Sequence, residues 1–445
     1  GARGAYARSN ETVYLNEDWL TSASEDDAIS VLTEELGHHL DKVINEENTP
    51  GDEGAIFSNL AFGNELSVTE LETLRARDDS GWVTVGGERI AVEQSEEFTR
   101  TRPTSPGRTS GEFRNQRDFA ALKENGSVVT WGGHTSGGRN SRVVEAGVTD
   151  IFSNQGAFAA LKDNGSVVTW GSTFTGGSSS AVSDELSSGV TDIFSTRNAF
   201  AALKDDGSVV SWGEENSGGD SSEVEDELSN GVTDIFSTYS AFAALKEDGS
   251  VVTWGWDERG GERGGDSSEV QDKLSSGVTD IFSTNSAFAA LKEDGSVVTW
   301  GSDFTGGDSS VVEDKLSNGV TDIFSNNFAF AALKEDGSVV TWGRSRNRNF
   351  AEVSAGVTNI FSTLGAFAAL KEDGSVVTWG NRFNGGDNSA VEDELSGGVT
   401  DIFSTNSAFA ALKEDGSVVT WGDDSRSGDS SDVADQLSGG VTDIF

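Results

Sequence analysis

The stretch AFAALKEDGSVVTWG decides the fold: it occurs unchanged at 241–255, 287–301, 329–343, 366–380 and 408–422. Divergent copies precede these five, with Phe119, Phe158 and Phe200 at the equivalent Phe. Within each copy, AFAALK and SVVTWG are short, apolar and rich in β-branched or aromatic residues. They flank Asp-Gly or Asn-Gly, and glycine supplies the positive φ of a tight hairpin turn. Working outward, a third segment of the GVTDIF type starts at Gly147, Gly189, Gly231, Gly277, Gly319, Gly356, Gly398 and Gly440. It reads as another strand, so the unit is GVTDIF, AFAALK, SVVTWG. Apolar or small residues on both faces suit sheets covered on both sides. The remaining linker of each unit, such as GSDFTGGDSSVVEDKLSN, is a Gly/Ser/Asp loop with room for one helical turn at VVEDKLS.

The Trp of the unit falls at 131, 170, 212, 254, 300, 342, 379 and 421, at separations of 39, 42, 42, 46, 42, 37 and 42 residues. A period near 42 with strand chemistry implies a repeat architecture. The expected fold is mainly β: a β-propeller of three- to four-stranded blades, eight repeats counted and seven possible, preceded by a small α+β domain. The expected division is 1–94 for that domain, 95–112 for a Pro/Ser/Thr/Arg linker and 113–445 for the propeller. The first hairpin, at Phe119, has no GVTDIF before it, and the last GVTDIF, 440–445, has no hairpin after it. A ring in which the last segment completes the first blade accounts for both and removes sheet edges. A chain cut at that point of the repeat accounts for them as well.

The pattern GV-x-x-I…AL-K-x-DG-x-V-x-x-WG…G resembles the regulator-of-chromosome-condensation repeat. Its short period resembles most closely the bacterial branch that includes β-lactamase inhibitory protein II. The resemblance covers about three-quarters of the chain and implies a propeller that works as a protein-binding platform. Eight units stand where that family usually has seven, and Gly-Gly-Asp replaces its usual Gly-Gln.

Differences between the units point to one rim. The turn between the second and third strands is nearly constant. The loop after GVTDIFS (NQG, TRN, TYS, TNS, NNF, TLG) and the exit after Trp-Gly (STFT, EENS, WDERGGER, SDFT, RSRNRNF, NRFN) both vary, and both must lie at the opposite rim. They carry Phe174, Tyr239, Trp256, Phe304, Phe328, Phe350 and Phe383, side chains that protein-binding hot spots favour. Loops also vary where nothing constrains them. Arg344, Arg346 and Arg348 read as a solvated basic island. The acidic turns carry too few oxygens for calcium.

In the N-terminal region, residues 24–44 read as a helix: Ser24 can cap it, and Ile29, Leu32, Leu36, Leu40 and Val43 form an apolar stripe. Shorter helices are expected at AIFSNLAF and VTELETLRARD, and a hairpin at Trp82–Val85 and Arg89–Val92. On the long helix, Glu34-Glu35-Leu36-Gly37-His38 resembles a zinc-peptidase H-E-x-x-H motif with Glu for the first His. That resemblance implies Glu34 and His38 as zinc ligands, Glu53 as a third, and Glu35 as the catalytic base that activates water. A carboxylate in place of a nitrogen ligand departs from zinc's preference, and a purely structural helix is the other reading. His134 reads as an inert loop residue.

The chain of 445 residues has 31 Lys+Arg against 75 Asp+Glu, a formal net charge of −44. That balance repels phosphate backbones and anionic bilayers, so no nucleic-acid partner is expected. No apolar run is long enough for membrane insertion. With no cysteine and no methionine, disulfides and thiol chemistry are excluded, and the native start, with any export signal, is expected to be missing. The expected protein is bacterial, monomeric, and extracellular or at the cell surface, binding a protein or glycan through the variable rim. The alternatives are a zinc-dependent peptidase with the propeller as its substrate-recognition module, and a structural or adhesive surface protein. Zinc is the one cofactor the sequence brings up.

Overall fold

The structure is a computed structural model. It describes residues 4–7, 12–15, 80–85, 88–94 and 115, and 118–444 apart from 124, 133–145, 257–264, 344–352, 354 and 424. The helix expected at 24–44, the two shorter helices, and Glu34, Glu35, His38, Glu53, His134, Arg344, Arg346, Arg348 and Phe350 lie outside the described residues. The chain divides into two compact units, Gly1–Pro103 and Thr104–Phe445.

In the first unit β1 (Gly4–Ala7), β2 (Thr12–Leu15), β3 (Ser80–Val85) and β4 (Glu88–Gln94) form one sheet in the order β2-β1-β4-β3. All pairings are antiparallel, and Val85 pairs with Glu88, in line with the hairpin expected from the sequence.

The second unit is mainly β, a propeller-type array of blades. In blade 2, β7 (Val148–Ser153), β8 (Ala157–Lys162) and β9 (Val167–Gly171) pair in chain order as an antiparallel sheet. The same three-stranded sheet recurs in blade 3 (190–213), blade 4 (232–255), blade 5 (278–301), blade 6 (320–343), blade 7 (357–380) and blade 8 (399–422). In blades 2–8 a register shift at the start of the first strand, as between Val190 and Asp192, leaves Thr191 as a bulge. Such bulges raise the local twist.

Blades stack because the middle strand is apolar on both faces. Ala199, Phe200, Ala201 and Ala202 are fully buried. The alanines admit the next sheet closely, while each Phe stacks on the Trp of its own hairpin at centroid separations of 5.1–5.4 Å. One core cluster spans each blade junction; Ala157, Ala159 and Leu161 of blade 2 meet Ile193, Phe200, Ala202 and Trp212 of blade 3. Burying a Phe this completely contributes about 1.5–3 kcal/mol.

At the constant rim, the hairpin glycine of one blade supports the first strand of the next. Val190 N–H donates to Gly165 O at 3.0 Å, and the contact repeats down to Val441 N–H and Gly416 O at 2.9 Å. Gly165 has a φ of +71°, and a Cβ there would lie 2.7 Å from Gly189 N. No other residue fits.

The expected ring closure is not formed. β5 (Asp118–Leu122) and β6 (Val128–Gly132) remain a two-stranded sheet. Residues 440–444 form no strand and stay against blade 8, Val441 on Gly416. Phe119 is 64% exposed and Trp131 50%, whereas their equivalents Phe409 and Trp421 are 1% and 3% exposed. The loop of blade 8 also lacks a feature that the internal junctions use. In four junctions the Phe (Phe200, Phe242, Phe330 and Phe409) sits against a left-handed glycine of the preceding exit loop: Gly176, Gly218, Gly306 and Gly385. At the corresponding place blade 8 has Ser427, the one described non-glycine residue with positive φ, +115°.

Candidate functional site: the variable rim

Where both are described, the two variable loops of a blade meet at the rim opposite the hairpin glycines. In blades 2, 3, 5 and 7 one residue joins them. In blade 3, Thr196 Oγ1 accepts from Ala199 N–H at 3.0 Å and donates to Ser217 O at 2.8 Å. In blade 5, Thr284 does the same with Ala287 and Thr305, and in blade 7 Thr363 with Ala366 and Asn384. Blade 2 uses Asn154, whose Oδ1 accepts from Ala157 N–H and whose Nδ2 donates to Thr175 O. A second backbone bond reinforces the joint, Ser172 N–H to Gly156 O and its equivalents. Thr and Asn suit this place because their short polar side chains cap a turn locally.

Neighbouring blades are stitched at the same rim. The central residue of each first loop donates its N–H to the carbonyl of the next blade's equivalent. The row runs Gln155→Arg197→Tyr239→Asn285→Asn327→Leu364→Asn406, at 3.0–3.3 Å. A parallel series links serines: Ser195 Oγ donates to Ser153 O, Ser237 to Ser195 and Ser283 to Ser237, at 2.8–3.1 Å. Arg197 Nε also donates to Gln155 Oε1. The variable residues therefore stand on a continuous hydrogen-bonded base.

The exit loops open with a 3₁₀ turn, as at Thr173–Thr175, Glu215–Ser217, Asp303–Thr305 and Arg382–Asn384. A left-handed glycine ends each of these turns, and its carbonyl accepts the indole N–H of the next blade's Trp, as Gly306 O does from Trp342 at 3.0 Å. Gly385 O receives Trp421 in the same way. The middle residue of the turn points outward: Phe174, Asn216, Phe304 or Phe383. Phe174, Phe304 and Phe383 are 62%, 60% and 63% exposed. The Arg382 guanidinium lies 4.4 Å from the Phe383 ring centre.

Of the rim residues read from the sequence, the structure places Phe174, Phe304 and Phe383 at equivalent positions of the exit loops. Tyr239 and Phe328 lie in the first loops, both partly exposed. Trp256 follows the last strand of blade 4 and is half-buried, its N–H on Ser240 O. Leu364 belongs with them: it is exposed in the turn row beside Asn327 and Asn406. Its signal in the sequence was an apolar residue where the other loops carry Gln, Arg, Tyr or Asn.

Chemically, the described rim offers flat apolar surface among polar backbone. Among the described residues no group of His, Asp or Glu side chains could hold a metal ion. The shifted acids lie elsewhere. The hairpin-turn aspartates Asp248, Asp294, Asp336, Asp373 and Asp415 are held below the usual carboxylate range by the hydroxyl and N–H of the serine two residues on. Asp401 is pushed up by burial and by the nearby Asp443 carboxylate.

No protein-family model matches the chain, nor does any curated protein. Among solved structures it is similar to yeast RCC1 (Prp20) in a complex with Kap60, at 15% identity and a TM-score of 0.33, covering 74% of this chain and 85% of that one. It is also similar to the ectodomain of the Physcomitrella patens receptor kinase CR4, at 13% identity and 0.31, covering 60% and 69%. BamB from Moraxella catarrhalis matches at 12% identity and 0.27, covering 69% and 94%. At these values the likeness adds nothing to what the strands show. No described helix is long and apolar enough to cross a membrane.

Proposed function

We propose that this chain is an interaction protein that binds a protein partner outside the cell through the variable rim of its blades. One observation carries the reading: three phenylalanines, Phe174, Phe304 and Phe383, stand about 60% exposed at the same position of three separate blades. A repeat with no ligand to hold has no use for an aromatic side chain there, since Asn216 fills the place in blade 3 without loss of the turn. Aromatic side chains on a stiff base lose little entropy on binding, which favours affinity.

The test uses the full chain and a Phe174→Ser, Phe304→Ser, Phe383→Ser variant as paired baits against the same extracellular fraction and against a glycan array. A protein retained by the first and lost by the second supports the reading. Glycan retention instead replaces protein by glycan as the ligand. Retention of one protein equally by both baits refutes the rim.

A second reading rests on Glu34-Glu35-Leu36-Gly37-His38 alone: a 1–94 domain that holds zinc with Glu34, His38 and Glu53 and uses Glu35 as base, served by the blades of 113–445. Stoichiometric zinc in the purified chain, with proteolysis that stops on chelation and in Glu35→Gln, supports it. A metal-free chain without proteolysis removes it.

A further inference from the structure

We infer that Asn230-Gly231 and Asn318-Gly319 are sites of spontaneous deamidation, at which this chain converts its own asparagine to aspartate and isoaspartate. Asn-Gly occurs five times, at Asn125, Asn164, Asn230, Asn318 and Asn384. The pair is prone to this reaction because glycine has no side chain to keep its nitrogen away from the asparagine carboxamide. The glycine nitrogen loses its proton to hydroxide and attacks Asn Cγ. The new N–Cγ bond closes a five-membered imide, and the Cγ–Nδ2 bond breaks to release ammonia, which takes its extra proton from water. Water then opens the ring at either carbonyl. One opening leaves aspartate, and the other leaves isoaspartate, with the main chain running through Cβ.

Local geometry separates the five pairs. Asn125 and Asn164 stand in hairpin turns, where Oδ1 accepts both the N–H and the Oγ–H of the serine two residues on, at 2.7–3.1 Å. The N–H of Gly126 and of Gly165 is itself bound, to Lys123 O and Lys162 O at 2.8 Å. Attack needs the nitrogen and the carboxamide released together, so these turns resist it. Asn384 is held at the variable rim. Its Nδ2 donates to Asn406 O and Ser407 Oγ, and Gly385 N–H donates to Arg382 O at 3.4 Å.

Asn230 and Asn318 lack both restraints. They are exposed, and among the described residues each side chain bonds only the preceding serine, Nδ2 to Oγ of Ser229 or Ser317 at 3.2 and 3.3 Å. Among the described residues nothing accepts the N–H of Gly231 or Gly319. A lysine lies beside each glycine: a Cβ on Gly231 or Gly319 would stand 3.4 Å from Lys246 Cε or Lys334 Cε. A cation there favours the deprotonated nitrogen that attacks. The position also gives the product an effect. Gly231 O accepts from Glu247 N–H, and Val232 N–H donates to Gly207 O. An isoaspartate at 230 therefore inserts a methylene into the main chain where blade 4 meets blade 3. Asn318 precedes the same contacts of blade 6 on blade 5, Glu335 N–H to Gly319 O and Val320 N–H to Gly295 O.

The full chain is aged in mildly alkaline buffer, folded and in guanidinium chloride, then digested and read by peptide mass spectrometry with isoaspartyl-methyltransferase labelling. In the folded chain Asn230 and Asn318 are expected to convert at least about tenfold faster than Asn164, whose turn bonds must first open. Unfolding brings the five pairs to similar rates. Ser166→Ala unclamps Asn164 and raises its rate. Asn230→Ser with Asn318→Ser, matching Ser188 and Ser276 at the same place, removes the new acidic forms. Hydrogen exchange at Val232 and Val320 is then faster in the aged parent than in the aged serine variant. Two results overturn the inference: Asn164 converting as fast as Asn230 and Asn318 in the folded chain, or those two staying intact while the unfolded chain deamidates. A rate at Asn164 indifferent to Ser166→Ala overturns the clamp, and equal exchange at Val232 and Val320 overturns the effect on the junctions.

Discussion

Replacing Gly306 by serine probes the blade junction where its geometry is tightest. Gly306 has a φ of +103°, and a Cβ on it would stand 2.7 Å from Phe330 Cδ2. The left-handed backbone costs an L-residue about 1–2 kcal/mol. Forcing the Cβ into a packed core costs about 1–3 kcal/mol more. The expected loss is about 3 kcal/mol, since Phe330 is fully buried and Trp342 Nε1 depends on the same loop for its acceptor. The reciprocal change, Ser427→Gly, meets no ring in the isolated chain. It relieves a residue at +115° and adds unfolded-state entropy, so it shifts stability by less than about 1 kcal/mol. Urea unfolding followed by near-ultraviolet circular dichroism measures both. Hydrogen exchange across blades 5 and 6 shows whether the damage is local, as expected for nearest-neighbour stacking. Gly306→Ser within about 0.5 kcal/mol of the parent, the ordinary range of a surface change, would refute the reasoning.

Thr284→Val removes a buried hydroxyl that bonds Ala287 N and Thr305 O; a loss of about 1–3 kcal/mol is expected, with faster proteolytic cutting in the blade 5 exit loop. The triple Phe174, Phe304, Phe383→Ser variant keeps its melting behaviour, because these rings are exposed, and only binding changes; a large drop in its midpoint would mean they pack in the core. Stability should fall in acid. The hairpin-turn aspartates have folded-state pKa values below the ordinary 3.8. Their contribution is fully present above 3.8 and is lost as pH falls through the lower folded values. Asp401, raised by burial, acts in the opposite sense: its burden on the fold is felt above the ordinary carboxylate value and is relieved on protonation as pH falls. An acid titration of the urea midpoint checks the balance, and Ser→Ala in the hairpin turns (Ser250, Ser296, Ser338, Ser375, Ser417) should flatten it; a midpoint unchanged below pH 3.8 contradicts it.

The strands were legible because AFAALK, SVVTWG and GVTDIF each carry their own signal: β-branched and aromatic residues bounded by a glycine that only a turn explains. Phe174, Phe304 and Phe383 were legible as variable residues in loops that two strands of known direction must place at one rim. The hydrogen-bonded row from Gln155 to Asn406 was not, because it is made by backbone atoms, and any side chain can stand in it. Leu364 was overlooked for the same reason. Closure failed where counting replaced geometry. Eight first strands and eight hairpins suggested that 440–445 would complete β5. Yet the exit loop of blade 8 reads Arg426-Ser427-Gly428 where blade 2 reads Thr175-Gly176-Gly177, and the missing glycine was visible in the letters. Its weight shows only once Phe200 is seen 2.8 Å from the Cβ that Gly176 lacks.

Hydrogen exchange of the rim amides tests most directly whether the blades share one stitched base. Arg197, Tyr239, Asn285, Asn327 and Leu364 each donate to the next blade. Their loops are therefore expected to exchange as slowly as the strands beside them. If those amides exchange at the rate of open surface loops, the blades are not stacked as described, and the rim is not a single surface.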